Sequence, residues 1–413
     1  MLALVDVNSC YASCEAIFRP DLREQPVVVL TNNDGCIVAR NKAAKALGIP
    51  DLVPYFKIRH QLQQWGVKVF SSNYTLYGDI SQRIMSTLAT FTDHIEIYSI
   101  DEAFLNCDGF NNLQQHGLLI KQCIWQQQRI GVGVGIAPTK TLAKLANHTA
   151  KRLDKTQGVC VLDAPEKWQW VLERVPVENI WGVGRKLKHR LHLLGIYSGA
   201  DLAACSASRI KKEFSIVLER TVRELNGEAC IPLEDAPPPK QQIVCSRSFG
   251  CKVLQQADLE QAIVQYTYRA AEKLRSQQSL CNSLQVWMNT SRFDSKPLYQ
   301  NTTINLPAST DDCRVLCQTA RKLVQQLYRP DYRYAKAGVS LLGVVPNNPY
   351  QADIFQKSRS PELMQTLDII NKKYGSGCVL LAGQGLQQHW QMARRMLSPA
   401  YTTRWRDIPK VQC

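Results

Sequence analysis

The sequence predicts a multidomain protein of the α+β class. Predicted strands alternate with helices up to about residue 164, and the chain is mainly helical from residue 165 to about residue 235. A proline-rich stretch then separates this part from a second set of strands and amphipathic helices. A chain of 413 residues is also too long for one ordinary hydrophobic core, so we expect several domains.

Apolar runs and turn residues locate the elements of the first part. Strands are expected at residues 2–5, 26–30, 95–98, 103–105 and 132–136, and helices at residues 38–48, 81–90 and 140–151. The helix at 38–48 is rich in Lys and Arg, and Gly48 and Pro50 are expected to end it.

Three consecutive prolines lie within residues 234–240, and such a stiff segment is typical of a spacer between folded units. Beyond it, strands are expected at residues 283–288, 302–306 and 338–344, and helices at residues 257–277 and 311–328. These elements predict a second, compact α+β domain. A less regular tail follows Pro346.

The chain is strongly basic. It has 50 Lys and Arg against 35 Asp and Glu, a formal charge of +15. Neutralising phosphates releases counterions, so a basic surface favours a nucleic acid partner. A soluble protein that is basic for no functional reason is the alternative at this point.

The cysteines and the hydropathy indicate a cytoplasmic protein. The 15 cysteines form no pair of CxxC elements, as a zinc site of that type would need, and their odd number does not suit a full disulfide framework. Scattered thiols are typical of a reducing cytosol. No apolar run approaches the roughly 18 residues of a membrane-spanning helix, so we expect no membrane partner.

Three carboxylates stand at the ends of predicted strands. Asp6 follows the first strand, and Asp101 and Glu102 occupy the turn between two others. Adjacent carboxylates repel each other unless they are solvated or bridged by cations. Two Mg²⁺ ions about 4 Å apart need such shared carboxylates for phosphoryl transfer. Solvated turn residues remain the alternative on spacing alone.

The sequences around these carboxylates resemble those of a known family. Residues 6–15, DVNSCYASCE, and residues 98–104, YSIDEAF, are similar to the two metal-binding motifs of Y-family DNA polymerases. The resemblance implies that two Mg²⁺ ions are held by Asp6, Asp101, Glu102 and the backbone carbonyl of Val7.

Tyr11 would then be the steric gate that excludes the 2′-hydroxyl of a ribonucleotide. The chain departs from the family at Cys10, which replaces a common aromatic residue, and at Asn106, where many members have Asp. Both departures flank the site, so they bear on nucleotide selectivity.

The resemblance covers essentially the whole chain and implies a right-hand polymerase. Its expected parts are a ferredoxin-like palm (1–10 and 74–164), small fingers (11–73), a helical thumb with a helix-hairpin-helix (165–235), a linker (236–242), an α+β little finger (243–346) and a C-terminal partner-binding region (347–413).

Basic residues are expected to bind the triphosphate. Residues 39–48 resemble the finger helix of the family, which assigns this role to Lys42 and Lys45. Lys155, in a turn similar to another family motif, is a further candidate, and Lys151 is the alternative to it. Without the resemblance, these lysines would be interpreted as solvated helix faces.

Two segments are expected to hold DNA. Residues 175–187 predict a helix, a Gly-x-Gly hairpin and a basic helix, in which Gly182 and Gly184 let backbone N–H groups approach a phosphate. Arg185 and Lys186 follow, and an ordinary helical hairpin is the alternative. Arg247 would contact phosphate, because its strand resembles the first strand of the little finger.

The tail carries two further resemblances. Residues 351–355, QADIF, are similar to peptides that dock on the sliding clamp, with Gln351 making polar contacts and Ile354 and Phe355 filling a pocket. Residues 381–404 resemble the C-terminal region of the UmuC branch, which forms the catalytic subunit of bacterial DNA polymerase V. That resemblance implies a processed UmuD-like dimer and the RecA filament as partners.

The leading hypothesis is an error-prone translesion DNA polymerase of the bacterial SOS response, which extends primed template DNA with deoxynucleoside triphosphates. It would be cytoplasmic and associated with the nucleoid during DNA damage. A non-catalytic DNA-binding scaffold that recruits repair partners is the alternative. A two-metal nuclease is a third hypothesis.

Overall fold

The protein forms two compact units. The computed structural model describes residues 1–234, 236–347, 360–375 and 377–410. Unit 1 comprises residues 1–31, 35–237 and 396–413, and unit 2 comprises residues 32–34 and 238–395. The boundary at residue 237 lies within the predicted linker.

Unit 1 begins with alternating strands and helices. Its elements are β1 Leu2–Val7, α1 Cys10–Ile17, β2 Val27–Leu30, β3 Ile37–Arg40, α2 Lys42–Ala46, α3 Tyr55–Gln64, β4 Lys68–Ser71, α4 Tyr74–Leu88, β5 Ile95–Ile97, β6 Glu102–Asn106, α5 Leu113–Gln128, β7 Val132–Ala137, α6 Lys140–Ala150 and β8 Val159–Val161. They confirm a mixed α+β architecture.

The larger sheet of unit 1 has the strand order β5-β6-β1-β7-β8. The central strand β1 is antiparallel to both β6 and β7, and β7 and β8 are parallel. Residues 3–5 of β1 are buried because α6 and α5 cover the sheet. The strand therefore leads directly from the core to its polar end at Asp6.

Helix α6 lies unusually close to strand β7 because of one glycine. A Cβ built on Gly135 would lie 2.1 Å from the backbone nitrogen of Asn147 and 2.4 Å from the carbonyl oxygen of Ala143. No side chain fits at that distance. This packing brings the lysines of α6 and its C-terminal end toward the end of β1.

The smaller sheet corrects one prediction. Residues 37–40 form strand β3, which is antiparallel to β2, so the helix expected over residues 38–48 is only α2, Lys42–Ala46. The β-branched Ile37 and Val38 favour pairing with the fully buried β2. Asn41 then starts the helix, because its side chain accepts a hydrogen bond from the backbone of Ala44.

The chain from residue 165 to residue 225 is helical, as predicted. Its helices are α7 Pro165–Leu172, α8 Arg185–Leu193, α9 Gly199–Ala203, α10 Ala207–Glu213 and α11 Ile216–Leu225. They share one apolar core with α6, the helix that packs on the larger sheet of unit 1. This contact explains why the helical segment belongs to unit 1.

Unit 2, in its described residues, is a four-stranded antiparallel sheet with three helices. Its elements are β9 Ile243–Val253, α12 Gln256–Ser276, β10 Ser279–Thr290, β11 Tyr299–Thr310, α13 Cys313–Leu327, β12 Tyr334–Pro346 and α14 Pro361–Tyr374, and the strand order is β11-β10-β12-β9. The strands β10, β11 and β12 extend several residues beyond the predicted bounds.

The C-terminal part of the chain belongs to both units. Met364 of α14 and Trp390 are buried in the core of unit 2, whereas residues from Met396 onward belong to unit 1. In the part of the chain that the structure describes, no helix is long and apolar enough to cross a membrane.

Candidate active site

The polar end of β1 lies beside the acidic doublet. Asp6 and Glu102 are direct partners in the antiparallel pair of β1 and β6. Such partners have Cβ atoms about 5 Å apart. The backbone N–H of Val7 also donates to the carbonyl of Asp101 at 2.8 Å. The structure therefore brings together the three carboxylates that the sequence singled out.

An open cavity of about 400 Å³ lies at this strand end. Its lining combines acidic, basic and aromatic side chains: Asp6, Val7, Ser9, Cys10, Tyr11, Val38, Ala39, Arg40, Lys45, Asp51, Asp101 and Lys151. Glu102 lies next to Asp6 but outside this lining. The cavity can thus accept a polar, anionic ligand near two carboxylates.

Lysines of the α6 region neutralise the carboxylates. Lys151 forms an ion pair with Asp6, and Nζ of Lys144 lies 2.9 Å from a carboxylate oxygen of Glu102. The Lys144 ammonium also lies 4.5 Å from the ring centroid of Tyr98. Burial raises the pKa of Asp6 to about 6, and Lys151 counteracts part of that rise. The site therefore holds carboxylates and ammonium groups whose charges compensate each other.

The turn before β6 orients Asp101. The hydroxyl of Ser99 donates to a carboxylate oxygen of Asp101 at 2.6 Å. The same hydroxyl oxygen accepts from the backbone N–H groups of Asp101 and Glu102. These contacts are local, and they hold the doublet at the edge of the sheet.

The ligand atoms at this site are of the chemical type that a hard divalent cation prefers. Asp6, Asp101, Glu102 and the Val7 carbonyl offer only oxygen atoms, the ligands that Mg²⁺ prefers. Within the described ranges, no group of three acidic, His or Cys side chains is already gathered at ligand spacing. The ammonium groups of Lys151 and Lys144 occupy carboxylate oxygens instead. A metal ion would compete with these lysines for the carboxylate oxygens that they contact.

Tyr11 lies on α1 and lines the cavity. Its ring stacks on Tyr77 with centroids 4.8 Å apart and an interplanar angle of 14°. The ring of Tyr74 meets it edge-on at 5.7 Å. Burial raises the pKa of Tyr11 well above its usual value, so the hydroxyl stays neutral. Cys10, the departure from the family pattern, is buried and borders the same cavity, whereas Asn106 lies outside the lining.

Only some of the predicted phosphate-binding lysines reach the cavity. Lys45 lines it and donates to the Ser9 hydroxyl at 3.2 Å, and burial lowers its pKa. Lys42 and Lys155 are exposed and do not line it. Lys151, the alternative to Lys155, does line it.

Arg40 also lines the cavity, although the sequence did not single it out. Its guanidinium donates to the carbonyl of Ile49 at 2.6 Å and lies 3.4 Å from Asp51. The sequence did contain an indication of Arg40 as a site residue, because it belongs to the basic run of the predicted fingers. The helix prediction obscured it, since the strand β3 changes which residues face inward.

The predicted Gly-x-Gly hairpin precedes helix α8. Gly182 has a φ of +90°, a conformation that favours glycine, and Gly184 is the N-cap of α8. Both glycines, Arg185 and Lys186 are exposed. The first predicted helix of the motif is only a 3₁₀ turn, Val177–Asn179. The N–H groups at the start of α8 are thus open to an anion.

Arg247 is exposed on β9 in unit 2. It lines a pocket of about 150 Å³ together with Arg269 and Arg394. Neither of these two arginines was predicted, and Arg394 comes from the tail. The predicted clamp-binding residues Gln351, Ile354 and Phe355 lie outside the described residues.

Comparisons with known proteins assign the chain to a family. Residues 5–148 match the impB/mucB/samB family, residues 240–354 match its C-terminal domain, and residues 361–411 match a domain of unknown function, DUF4113. The chain is 46% identical to the protein UmuC of Salmonella typhimurium over the full length of both. It is also 46% identical to the protein ImpB of Salmonella typhimurium over 99% of each chain.

More distant similarities extend to named polymerases. The chain is 27% identical to DNA polymerase IV of Dehalococcoides mccartyi, covering 91% of this chain and 95% of the relative. A Y-family DNA polymerase chimera of Dbh and Dpo4 matches the structure with a TM-score of 0.66 at 22% identity, covering 84% of this chain and 99% of the chimera. DinB from Sulfolobus solfataricus matches with a TM-score of 0.53 at 23% identity, with the same coverage.

The structure therefore has the fold of the Y-family DNA polymerases. Within that class, the chain belongs to the impB/mucB/samB family, as its full-length identity to UmuC demonstrates.

Proposed function

We propose that this protein is a template-directed DNA polymerase that performs error-prone translesion synthesis. The observation that carries the proposal is the cross-strand pair of Asp6 and Glu102, which lies beside Asp101 at a cavity with cationic and aromatic walls. The names of the polymerase relatives support the same activity. A purely structural scaffold would not need this costly cluster of carboxylates.

Each group at the cavity has a role in nucleotidyl transfer. Asp6, Asp101, Glu102 and the Val7 carbonyl would hold two Mg²⁺ ions, which stabilise the attacking and leaving oxygens when bound. Lys45 and Arg40 would neutralise the negative charge of the triphosphate. The ammonium group of Lys151 would leave Asp6 and bind phosphate oxygens instead. The ring of Tyr11 would exclude a ribose 2′-hydroxyl.

Surfaces away from the cavity would hold DNA and partners. The exposed N–H groups at the start of α8, with Arg185 and Lys186, would contact backbone phosphates in one unit. In the other unit, backbone phosphates would be contacted by Arg247, Arg269 and Arg394. We propose that a processed UmuD-like dimer, the RecA filament and the sliding clamp assist the enzyme on nucleoid DNA during the SOS response.

A primer-extension assay with primed template, deoxynucleotides and Mg²⁺ tests the proposal. Asp101→Ala and Glu102→Ala should abolish extension but keep DNA binding, because they remove charge only at the reacting centre. Asp93→Ala, at an exposed acidic residue of the same unit, is the matched control and should extend normally.

The UmuD-like partner and a RecA filament belong in that assay. Binding without extension by the wild-type protein would favour the scaffold, and shortening of the DNA would indicate a nuclease. Extension by either variant at the wild-type rate would refute the assigned site.

A further inference from the structure

The end of the chain packs against the strands and helices beside the nucleotide cavity. We call residues 396–401 the tail segment. The backbone N–H of Ser71 donates to the carbonyl of Met396 at 2.9 Å, and the N–H of Met396 donates to the Ser71 hydroxyl. The ring of Tyr401 stacks on Phe18 of the chain after α1, with centroids 4.7 Å apart. The tail segment is therefore packed into unit 1.

Ser398 is the polar centre of this contact. The side-chain amide of Asn73 donates to the Ser398 hydroxyl oxygen at 3.0 Å. The Ser398 hydroxyl in turn donates to a carboxyl oxygen of Glu15 at 3.0 Å. Because a hydroxyl has a single proton, these two bonds together define its direction.

Glu15 is almost completely buried, with 1% of its surface exposed. The same oxygen that accepts from Ser398 also accepts from the Tyr77 hydroxyl at 2.5 Å. A buried carboxyl group is costly unless such partners satisfy it. Glu15 therefore joins the tail segment to Tyr77, and burial raises its pKa to about 7.

Tyr77 is in contact with the proposed steric gate. Its ring is fully buried and lies nearly parallel to that of Tyr11. A continuous series of contacts thus leads from Ser398 through Glu15 and Tyr77 to Tyr11. Tyr11 lines the cavity, whereas the other three residues do not.

We propose that the tail segment is a specificity element of the nucleotide site, in which Ser398, Glu15 and Tyr77 are positioning residues that hold the Tyr11 ring against the sugar. This inference rests on the proposed role of Tyr11 as the gate. It assigns a role to part of a region that matches a domain of unknown function.

The physical reason is that exclusion depends on a small distance. A gate discriminates by overlap with one oxygen atom, so a shift of the ring by a fraction of an ångström changes the discrimination. The hydroxyl of Tyr77 fixes the plane on which Tyr11 stacks. Losing one hydrogen bond in this series lets both rings move without removing either.

The test compares ribonucleotide and deoxynucleotide incorporation by the full-length enzyme. Tyr77→Phe and Ser398→Ala each remove one hydroxyl from the series. We expect each to raise the ratio of kcat/KM for a ribonucleotide to that for the matching deoxynucleotide by about fivefold, the factor that corresponds to one typical hydrogen bond. Thr403→Ala changes an exposed hydroxyl-bearing residue close to the tail segment and should leave the ratio unchanged.

The Tyr11→Ala variant tests the gate role of Tyr11 separately from the positioning role of the tail segment. It should raise the ratio more than the other variants, and adding Ser398→Ala to it should have no further effect. If Tyr11→Ala leaves the ratio unchanged, the gate assignment fails and this inference fails with it.

If Tyr11→Ala admits ribonucleotides while Tyr77→Phe and Ser398→Ala do not, only the tail inference is overturned. A general loss of folded enzyme would lower both kcat/KM values equally and leave the ratio unchanged. Such an outcome would show that the contact is structural and would also overturn the inference.

Discussion

Two carboxyl groups near the cavity, the partly buried Asp6 and the buried Glu15, have different environments. Asp6 is paired with the ammonium group of Lys151, so its negative charge is compensated. Glu15 receives hydrogen bonds from two neutral hydroxyls. Burial raises the pKa of both groups, to about 6 for Asp6 and about 7 for Glu15. Their environments match a cation-binding role for Asp6 and a structural role for Glu15.

The raised pKa of Glu15 predicts a pH-dependent stability. Between its ordinary value of 4.5 and about 7, the folded protein holds a proton that the unfolded chain has lost. This contribution to the free energy of unfolding is therefore complete below pH 4.5 and is lost as the pH rises through 7, by about 3 kcal/mol in total.

Urea denaturation of the wild type and of Glu15→Gln at several pH values measures this effect. The variant should lose that part of the pH dependence, while the part due to Asp6 remains. The other titratable groups near Glu15 are Cys14, Tyr77 and Tyr401, and each has a raised pKa that keeps it neutral in this range. Identical pH profiles for both proteins would contradict the prediction.

At the scale of elements, helix α6 connects the fold to the site. Its packing on β7 requires Gly135, and the helix and the residue after it supply Lys144 and Lys151 to the two carboxylates. Lys140 of the same helix is buried and forms an ion pair with Glu96. The placement of helix α6 therefore determines the balance of charge around Asp6 and Glu102.

Gly135→Ala should push α6 away from β7. We expect the free energy of unfolding to fall by about 2 kcal/mol, as for overpacked cores, and primer extension to fall as well. Gly78→Ala is the control, because a Cβ at Gly78 meets nothing within 4 Å and alanine favours the helix α4. Chemical denaturation and extension rates measure both effects, and equal stabilities of the two variants would refute the packing argument.

The elements were largely predictable from local patterns. Strands β1 and β7 and the helix α6 lie close to where hydrophobic runs predicted them. The helix expected over residues 38–48 was half wrong, because pairing of β3 with the buried β2 outweighs the helical preference of an alanine-rich segment. The pairing with β2 is not visible in the residue pattern of this segment by itself.

At the scale of the whole molecule, the formal charge of +15 favours DNA binding. Three of the basic residues, all arginines, line one pocket of unit 2. Arg394 comes from the tail and Arg247 from strand β9, so the pocket combines segments that are far apart in sequence. Phosphate contacts of this kind strengthen binding without reading sequence.

DNA affinity should therefore depend strongly on salt. Arg247→Ala and Arg394→Ala should each weaken binding and reduce the slope of log affinity against log salt by about 1. Lys322→Ala, at an exposed cation of the same unit outside the pocket, should leave the slope nearly unchanged. Fluorescence anisotropy at several salt concentrations measures the slopes, and equal slopes for all variants would count against an arginine phosphate site.

The amino-acid sequence by itself determined the α+β class, the basic character and the acidic positions, because strand ends and turn motifs are local features. Only the tertiary structure decided that Arg40 and Lys151 reach the cavity while Lys42 and Lys155 do not. It alone also joined Ser398 to Glu15, which are 383 residues apart. Such contacts arise from strand register and helix packing, which depend on the whole chain and not on any one segment of it.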